Sequence, residues 1–191
     1  MGRSASFLHL SPLGLPARVL NDPPGRPFFL PLVPEVHVGH LGAMSELYHN
    51  RILELAAGIP NVGQLEGAEG EALKVSRVCG STVHVALKLD ETGEVVTAIA
   101  VDPKACALGQ ASTSILSANA VGATTTEIRT ALEALRAMLK EGGAPPEGRF
   151  WELRHLEPVA DYPPRHASTL LAFEAAVAAI DQALAARAAV G

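Results

Sequence analysis

The spacing of apolar residues along the chain changes from alternating to helical near residue 106. An alternating stretch begins at Leu73 and Val75, and it continues through residues 83–89. After a turn at residues 90–93, residues 94–101 alternate again, which predicts a hairpin of antiparallel strands. Beyond Cys106 the apolar positions recur at the period of a helix. The pattern predicts an α+β fold in which a short antiparallel sheet of about three strands packs against several helices.

Helix ends are marked by specific residues. Ser45 is a good N-cap for a first helix that Gly58 and the following proline bring to an end. Thr124 and Glu127 form the sequence of a capping box for a later helix that runs to Gly142. Residues 150–153 predict a short helix, and residues 170–184 predict a long one rich in alanine. Residues 102–104 are interpreted as a turn that leads to Cys106.

The first 43 residues differ in composition from the rest. They contain half of the 14 prolines and no sustained helical or alternating pattern. We therefore predict a proline-rich extension over residues 1–43, followed by a single domain over residues 44–188. Because Met44 directly precedes the predicted helix, a further hypothesis is that the natural protein begins there.

Length and charge narrow the classes of function. A chain of 191 residues with 48% apolar residues is long enough for one domain with a substantial core. The net charge of −5 provides no basic surface for nucleic acid or for an anionic membrane, so neither is expected as a partner. Two cysteines are too few for a disulfide framework, and they fit a reducing compartment such as the cytoplasm.

Those two cysteines, Cys79 and Cys106, are the candidate chemistry. The predicted hairpin lies between them and can bring both to one end of the sheet, while Cys106 stands at the start of a helix. A helix N-terminus favours thiolate over thiol, and thiolate is the form that binds metals or accepts sulfur. The alternative reading is that Cys106 is a small buried apolar residue, since its neighbours are apolar too.

Several short motifs resemble those of the IscU/SufU family, which includes the N-terminal domain of NifU. Leu47-Tyr48 and the stretch Pro60–Leu65 are similar to its opening helix and P-x-N-x-G-x-L segment. The other three are Cys79-Gly80-Ser81, similar to C-G-D; residues 105–112, similar to G-C-A-I-S-x-A-S; and residues 165–170, similar to R-x-x-C-A-x-L. Together they span about residues 45–185 in the family's order.

The resemblance implies a scaffold for iron–sulfur cluster assembly and not primarily an enzyme. A cysteine desulfurase would deliver sulfur, iron would be added, and the cluster would pass to apo-proteins. The implied ligands are Cys79 and Cys106, whereas Ser81 and Ser168 stand where the family has aspartate and cysteine. A serine hydroxyl is a weak metal ligand near neutral pH. One chain therefore offers two thiolates, and a homodimer sharing a [2Fe–2S] cluster would supply four.

Other readings stay open at this point. His166 lies two residues before Ser168, in what is predicted to be a loop entering the last helix, and it could add an imidazole ligand. In a second reading the chain is a zinc-binding sulfur acceptor in which Cys106 takes a persulfide from the desulfurase. In a third it is a degenerate partner that docks on the desulfurase and regulates it, because two good ligands have been replaced.

Overall fold

The computed structural model describes residues 48–190 of the chain. The proline-rich extension over residues 1–43 and the hypothetical start at Met44 lie outside the described residues. Those predictions, and the domain boundary that depends on them, stay predictions.

A three-stranded antiparallel sheet lies at the centre of the described residues, in the order β1-β2-β3. The strands are β1 (Gly70–Val75), β2 (Thr82–Leu89) and β3 (Val96–Lys104). Thr82, at the start of β2, pairs with Val75 at the end of β1 and with Lys104 at the end of β3. The turn between β1 and β2 and the segment that leaves β3 therefore meet at the same end of the sheet.

The described residues also contain four α-helices and one 3₁₀ segment. They are α1 (Asn50–Ala57), α2 (Ala107–Asn119), α3 (Thr125–Glu141), the 3₁₀ segment (Gly148–Asp161) and α4 (Pro163–Val190). The predicted capping box of α3 is present, with the Thr124 side chain accepting from the Glu127 N–H and the Glu127 carboxylate accepting from the Thr124 N–H. The predicted α+β architecture is confirmed.

The core lies between one face of the sheet and helices α2 and α4. Val83, Val85 and Leu87 project from β2 into this core and are fully buried. Helix α4 passes so close to β1 that a Cβ at Gly70 would lie 1.9 Å from the carbonyl oxygen of Ala179. No side chain fits there, so a glycine at the start of β1 is what allows this approach.

The other edge of the sheet is joined by the stretch that follows α1. Gly63 N–H donates to the Val101 carbonyl, and Val101 N–H donates to the Asn61 carbonyl, both at 3.0 Å. The Asn61 side chain donates to the carbonyl oxygen of Ser117, near the end of α2. This stretch thus ties β3 to α2, the two elements that flank Cys106.

Three boundaries differ from the sequence predictions. Residues 102–104 continue β3 and are not a turn; Pro103 is tolerated there because its partner strand lies on one side only. The first helix begins at Asn50 with His49 as its N-cap, since Tyr48 is in a turn. Helix α4 begins at Pro163, a favourable residue at a helix start, so residues 165–168 are helical and do not form a loop.

Helix α4 is long and apolar enough to cross a membrane by length and composition alone, with a mean hydropathy of 1.5 over its most apolar window. Within that window 56% of the residues are buried inside the protein. This burial against the sheet and α2 is typical of a core helix.

Candidate cysteine and serine site

Cys79 lies in the turn that joins β1 to β2. The Ser76 N–H donates to the Ser81 carbonyl at 2.8 Å, and the Gly80 N–H donates to the Ser76 carbonyl at 2.9 Å. Gly80 has a φ of +72°, a left-handed conformation that glycine adopts without strain. These two hydrogen bonds close the turn and leave Cys79 exposed at its tip.

Two serine hydroxyls contact the Cys79 thiol. Its Sγ lies 3.3 Å from Ser76 Oγ and 3.1 Å from Ser81 Oγ, and both serines are buried. The hydroxyls of Ser76 and then Ser81 lower the pKa of Cys79 to about 7, because they can donate to the thiolate. Partial burial of the thiol opposes this effect. The lowered pKa increases the share of Cys79 that is thiolate near neutral pH, and thiolate is the form that binds metals and attacks electrophiles.

Cys106 lies at the junction predicted from the sequence, as the N-cap residue of α2 directly after β3. It is half-buried and packs against the core. Its Sγ is 3.5 Å from Ser168 Oγ, and Ser168 is fully buried near the start of α4. The Ser168 hydroxyl also donates to the Arg165 carbonyl at 3.0 Å, which holds it in place.

Close packing of α2 against α4 brings Ser168 to Cys106. A Cβ at Gly109 would lie 2.9 Å from the Ser168 carbonyl oxygen and 2.8 Å from the Ala105 Cβ. Both distances are shorter than normal contacts of a Cβ atom, and the carbonyl belongs to a helix that cannot move freely. Gly109 is therefore a positioning residue for the site.

The Ser168 hydroxyl contacts Cys106. It also makes the smallest of the hydroxyl contributions that lower the pKa of Cys79. Ser81 contacts Cys79 in the same way. The structure thus brings four residues together at one end of the sheet: Cys79, Ser81, Cys106 and Ser168. Their role as ligands stays a prediction.

One ring nitrogen of His166 is engaged outside this cluster. Its Nε2 lies 3.0 Å from the carbonyl oxygens of Val159 and Ala160, at the end of the 3₁₀ segment. Because both partners are acceptors, Nε2 carries the proton and is not free to bind a metal. Only Nδ1 is left for the predicted ligand role. Among residues 48–190, no three His, Cys, Asp or Glu side chains come together as a metal-binding group.

Ser76 is a site residue that the sequence did not reveal. It is one of many serines, and no motif sets it apart. It meets Cys79 only because the turn folds back on itself through the hydrogen bond between Ser76 and Gly80. A serine three residues before a cysteine in a predicted turn is the one feature that could have indicated it.

The chain is similar to proteins of a known family. Residues 47–147 match the family of the NifU-like N-terminal domain. This match includes Cys79, Ser81 and Cys106, whereas Ser168 lies beyond it. Among curated proteins, none matches the chain significantly.

Two solved structures extend the similarity. A nitrogen-fixing NifU-like protein (N-terminal) from Brucella abortus is 47% identical, with a TM-score of 0.73, covering 75% of this chain and 98% of that one. The second structure is a candidate iron–sulfur cluster assembly scaffold protein for the SUF system, from the thermophile Fervidobacterium islandicum AW-1. Its sequence is 21% identical to this chain, with a TM-score of 0.65. It covers 71% of this chain and 98% of its own, and at this identity it supports the fold alone.

Proposed function

The chain belongs to the family of NifU-like N-terminal domains, and from that membership we propose that it is an iron–sulfur assembly scaffold that binds its cargo through Cys79 and Cys106. The cargo is iron and sulfide, or a [2Fe–2S] cluster built from them. A cysteine desulfurase as sulfur donor, apo-proteins as recipients and a cytoplasmic location are parts of the same proposal.

One observation carries it: the turn with Cys79 and the start of α2 with Cys106 lie at the same end of the sheet, where buried serine hydroxyls contact both thiols. Cys79 is exposed, so iron, sulfide and a partner protein can all reach it. Its pKa of about 7 means that a large share is thiolate before any metal arrives. These are the properties that a site needs if it is to take up cargo and release it again.

One chain supplies half of the thiolates that a [2Fe–2S] cluster commonly binds. A [2Fe–2S] cluster is commonly held by four thiolates, and the chain has two cysteines in all. The hydroxyls of Ser81 and Ser168 contact the two thiols, but a serine hydroxyl remains protonated near neutral pH unless a metal displaces the proton. We therefore propose that two protomers share the cluster, each contributing Cys79 and Cys106. The exposed turn that carries Cys79 and Val78 leaves room for a second copy.

A zinc-binding sulfur acceptor is the second candidate. An exposed thiol with a pKa of about 7 can attack a persulfide, which favours this reading. The sequence prediction names Cys106 as the acceptor, but Cys79 is the more accessible of the two. Zinc sites normally have at least three strong protein ligands, and the described residues bring only two cysteines together. This counts against stable zinc binding by a single chain.

Anaerobic reconstitution tests the proposal. The protein is purified without oxygen and loaded with iron and sulfide, and bound iron, zinc and acid-labile sulfide are measured together with the native mass. Cys79→Ala and Cys106→Ala should each lose iron and sulfide, while Val121→Ala, an exposed residue between α2 and α3, should retain them. A cluster in a dimer supports sharing, and a cluster in a monomer contradicts it. Zinc without sulfide in the wild type would favour the sulfur acceptor instead.

A further inference from the structure

The two cysteines are placed as a pair that can react with each other. Cys79 lies three residues before Thr82, and Cys106 lies two residues after Lys104, the residue paired with Thr82. Both cysteines therefore lie just beyond the last paired residues at the same end of the sheet. Cys79 Sγ lies 3.1 Å from Ser81 Oγ, and Cys106 Sγ lies 3.5 Å from Ser168 Oγ. The Ser168 hydroxyl also contributes to the lowered pKa of Cys79.

The two thiols differ in access to solvent. Cys79 is exposed at the tip of its turn, whereas Cys106 is half-buried and packs against the core. A dissolved oxidant therefore meets Cys79 first, and the product at Cys79 meets Cys106 before it meets a thiol on another molecule. An accessible cysteine beside a resolving cysteine is the arrangement of thiols that undergo reversible oxidation.

The start of α2, next to Cys106, is held by the close contact of Gly109 with α4. Cys79 lies in an exposed turn. We therefore expect Cys79 to make most of the movement that brings the two sulfur atoms together.

We propose that in the metal-free protein Cys79 is oxidised by hydrogen peroxide and then forms a reversible intrachain disulfide with Cys106, a modification that withdraws both thiols from metal. Formation of the disulfide needs neither iron nor sulfide. Only its consequence, that the oxidised protein cannot take up iron and sulfide, rests on the proposed scaffold function.

The steps balance as follows. The Cys79 thiolate attacks one oxygen of the peroxide, the O–O bond breaks, and Cys79 becomes a sulfenic acid while the other oxygen leaves as hydroxide and is protonated to water. The Cys106 sulfur then attacks the Cys79 sulfur, the S–O bond breaks, and a second water leaves as the S–S bond forms. Two thiols lose two electrons in total, and the peroxide is reduced to water. A dithiol reductant reverses the disulfide by exchange.

Mass spectrometry of the full chain tests the proposal. Metal-free protein is treated with one equivalent of hydrogen peroxide and digested without reduction. The expected product has lost two hydrogen atoms, contains a peptide that joins Cys79 to Cys106, and reverts with dithiothreitol. A covalent dimer, or a Cys79 sulfinic acid without the intrachain link, would overturn the proposal.

Two variants separate the roles of the thiols. In Cys106→Ser, the reaction should stop at a Cys79 sulfenic acid that dimedone traps. In Cys79→Ser, oxidation of Cys106 should be about tenfold slower than that of Cys79, because susceptibility follows exposure. Equal rates, or no dimedone adduct in Cys106→Ser, would contradict the assigned order. Loading of the reduced wild type with iron and sulfide is measured in parallel, so that a failure of the scaffold function is recognised separately.

Discussion

The two halves of the site are built differently. Around Cys79 the contacts are local, since the two hydroxyls on its thiol come from Ser76 and Ser81, within three residues of it. Around Cys106 the contact comes from Ser168, 62 residues away, on a buried helix. Chemistry at Cys79 can therefore change with little effect on the fold, whereas changes at Cys106 and Ser168 also disturb the packing of α2 on α4. An exposed reactive half beside a rigid buried half suits a site that exchanges its cargo.

The largest expected effect comes from removing either thiol. Cys79→Ala and Cys106→Ala should both abolish most bound iron and sulfide. Only Cys106→Ala should also lower the free energy of unfolding, by about 1 kcal/mol, since it removes a packed sulfur from the edge of the core. Metal analysis and urea unfolding of the metal-free proteins measure the two effects. Equal destabilisation by both variants would contradict the difference in packing between the Cys79 half and the Cys106 half of the site.

Substitution of Gly109 tests the rigid half directly. In Gly109→Ala the new methyl group meets the Ser168 carbonyl and the Ala105 side chain, so we expect a net loss of about 2 kcal/mol in the free energy of unfolding. Gly80→Ala meets no atom and should cost only about 1 kcal/mol, through its left-handed backbone. Denaturant unfolding compares the two. A neutral Gly109→Ala would mean that α2 and α4 are less tightly packed than the structure shows.

Ser168→Cys should add a third thiol beside Cys106. Because sulfur replaces oxygen without a change in branching, the variant should fold and should retain its cluster several-fold longer after reconstitution. Sharing between protomers should become less necessary, so native mass should shift towards a cluster-bound monomer. Ser168→Ala is the matched control: it loses the hydrogen bond to Arg165, which costs about 1 kcal/mol, and gains no ligand. If Ser168→Cys retains cluster no longer than Ser168→Ala does, Ser168 is not a ligand position.

The smallest effect concerns the pH dependence of Cys79. In a Cys106→Ala background, the rate of alkylation of Cys79 should increase with pH, with a midpoint near 7, because only the thiolate reacts. Ser76→Ala should raise this midpoint towards the ordinary value of 9.0, and Ser81→Ala should raise it less. The folded-state pKa is lowered, so ionisation stabilises the fold above the unfolded-state pKa, and this contribution is lost as pH falls through about 7. If neither Ser76→Ala nor Ser81→Ala changes the midpoint, the role of their hydroxyls is contradicted.

Much of the fold follows from local pattern. Alternation predicts the strands, Thr124 and Glu127 predict the start of α3, and the change of period places Cys106 at the start of α2; all three are confirmed. The prediction fails at residues 102–104, where a proline suggests a turn but the edge of the sheet tolerates it. It also fails at the start of α4, because Pro163 begins a helix as readily as it interrupts one.

The arrangement of the site depends on tertiary structure. Periodicity and capping act over a few residues, so they are readable from the chain and they place both cysteines at element ends. The contact of Ser76 with Cys79 depends on how the turn folds back on itself. The contact of Ser168 with Cys106 and the close packing at Gly109 depend on how distant segments meet. Distances between elements are set by the packing of a whole core, in which one missing Cβ decides whether two helices touch. For that reason the sequence identifies the two thiols and, through the resemblance, Ser81 and Ser168, and only the folded chain shows which serine contacts which thiol.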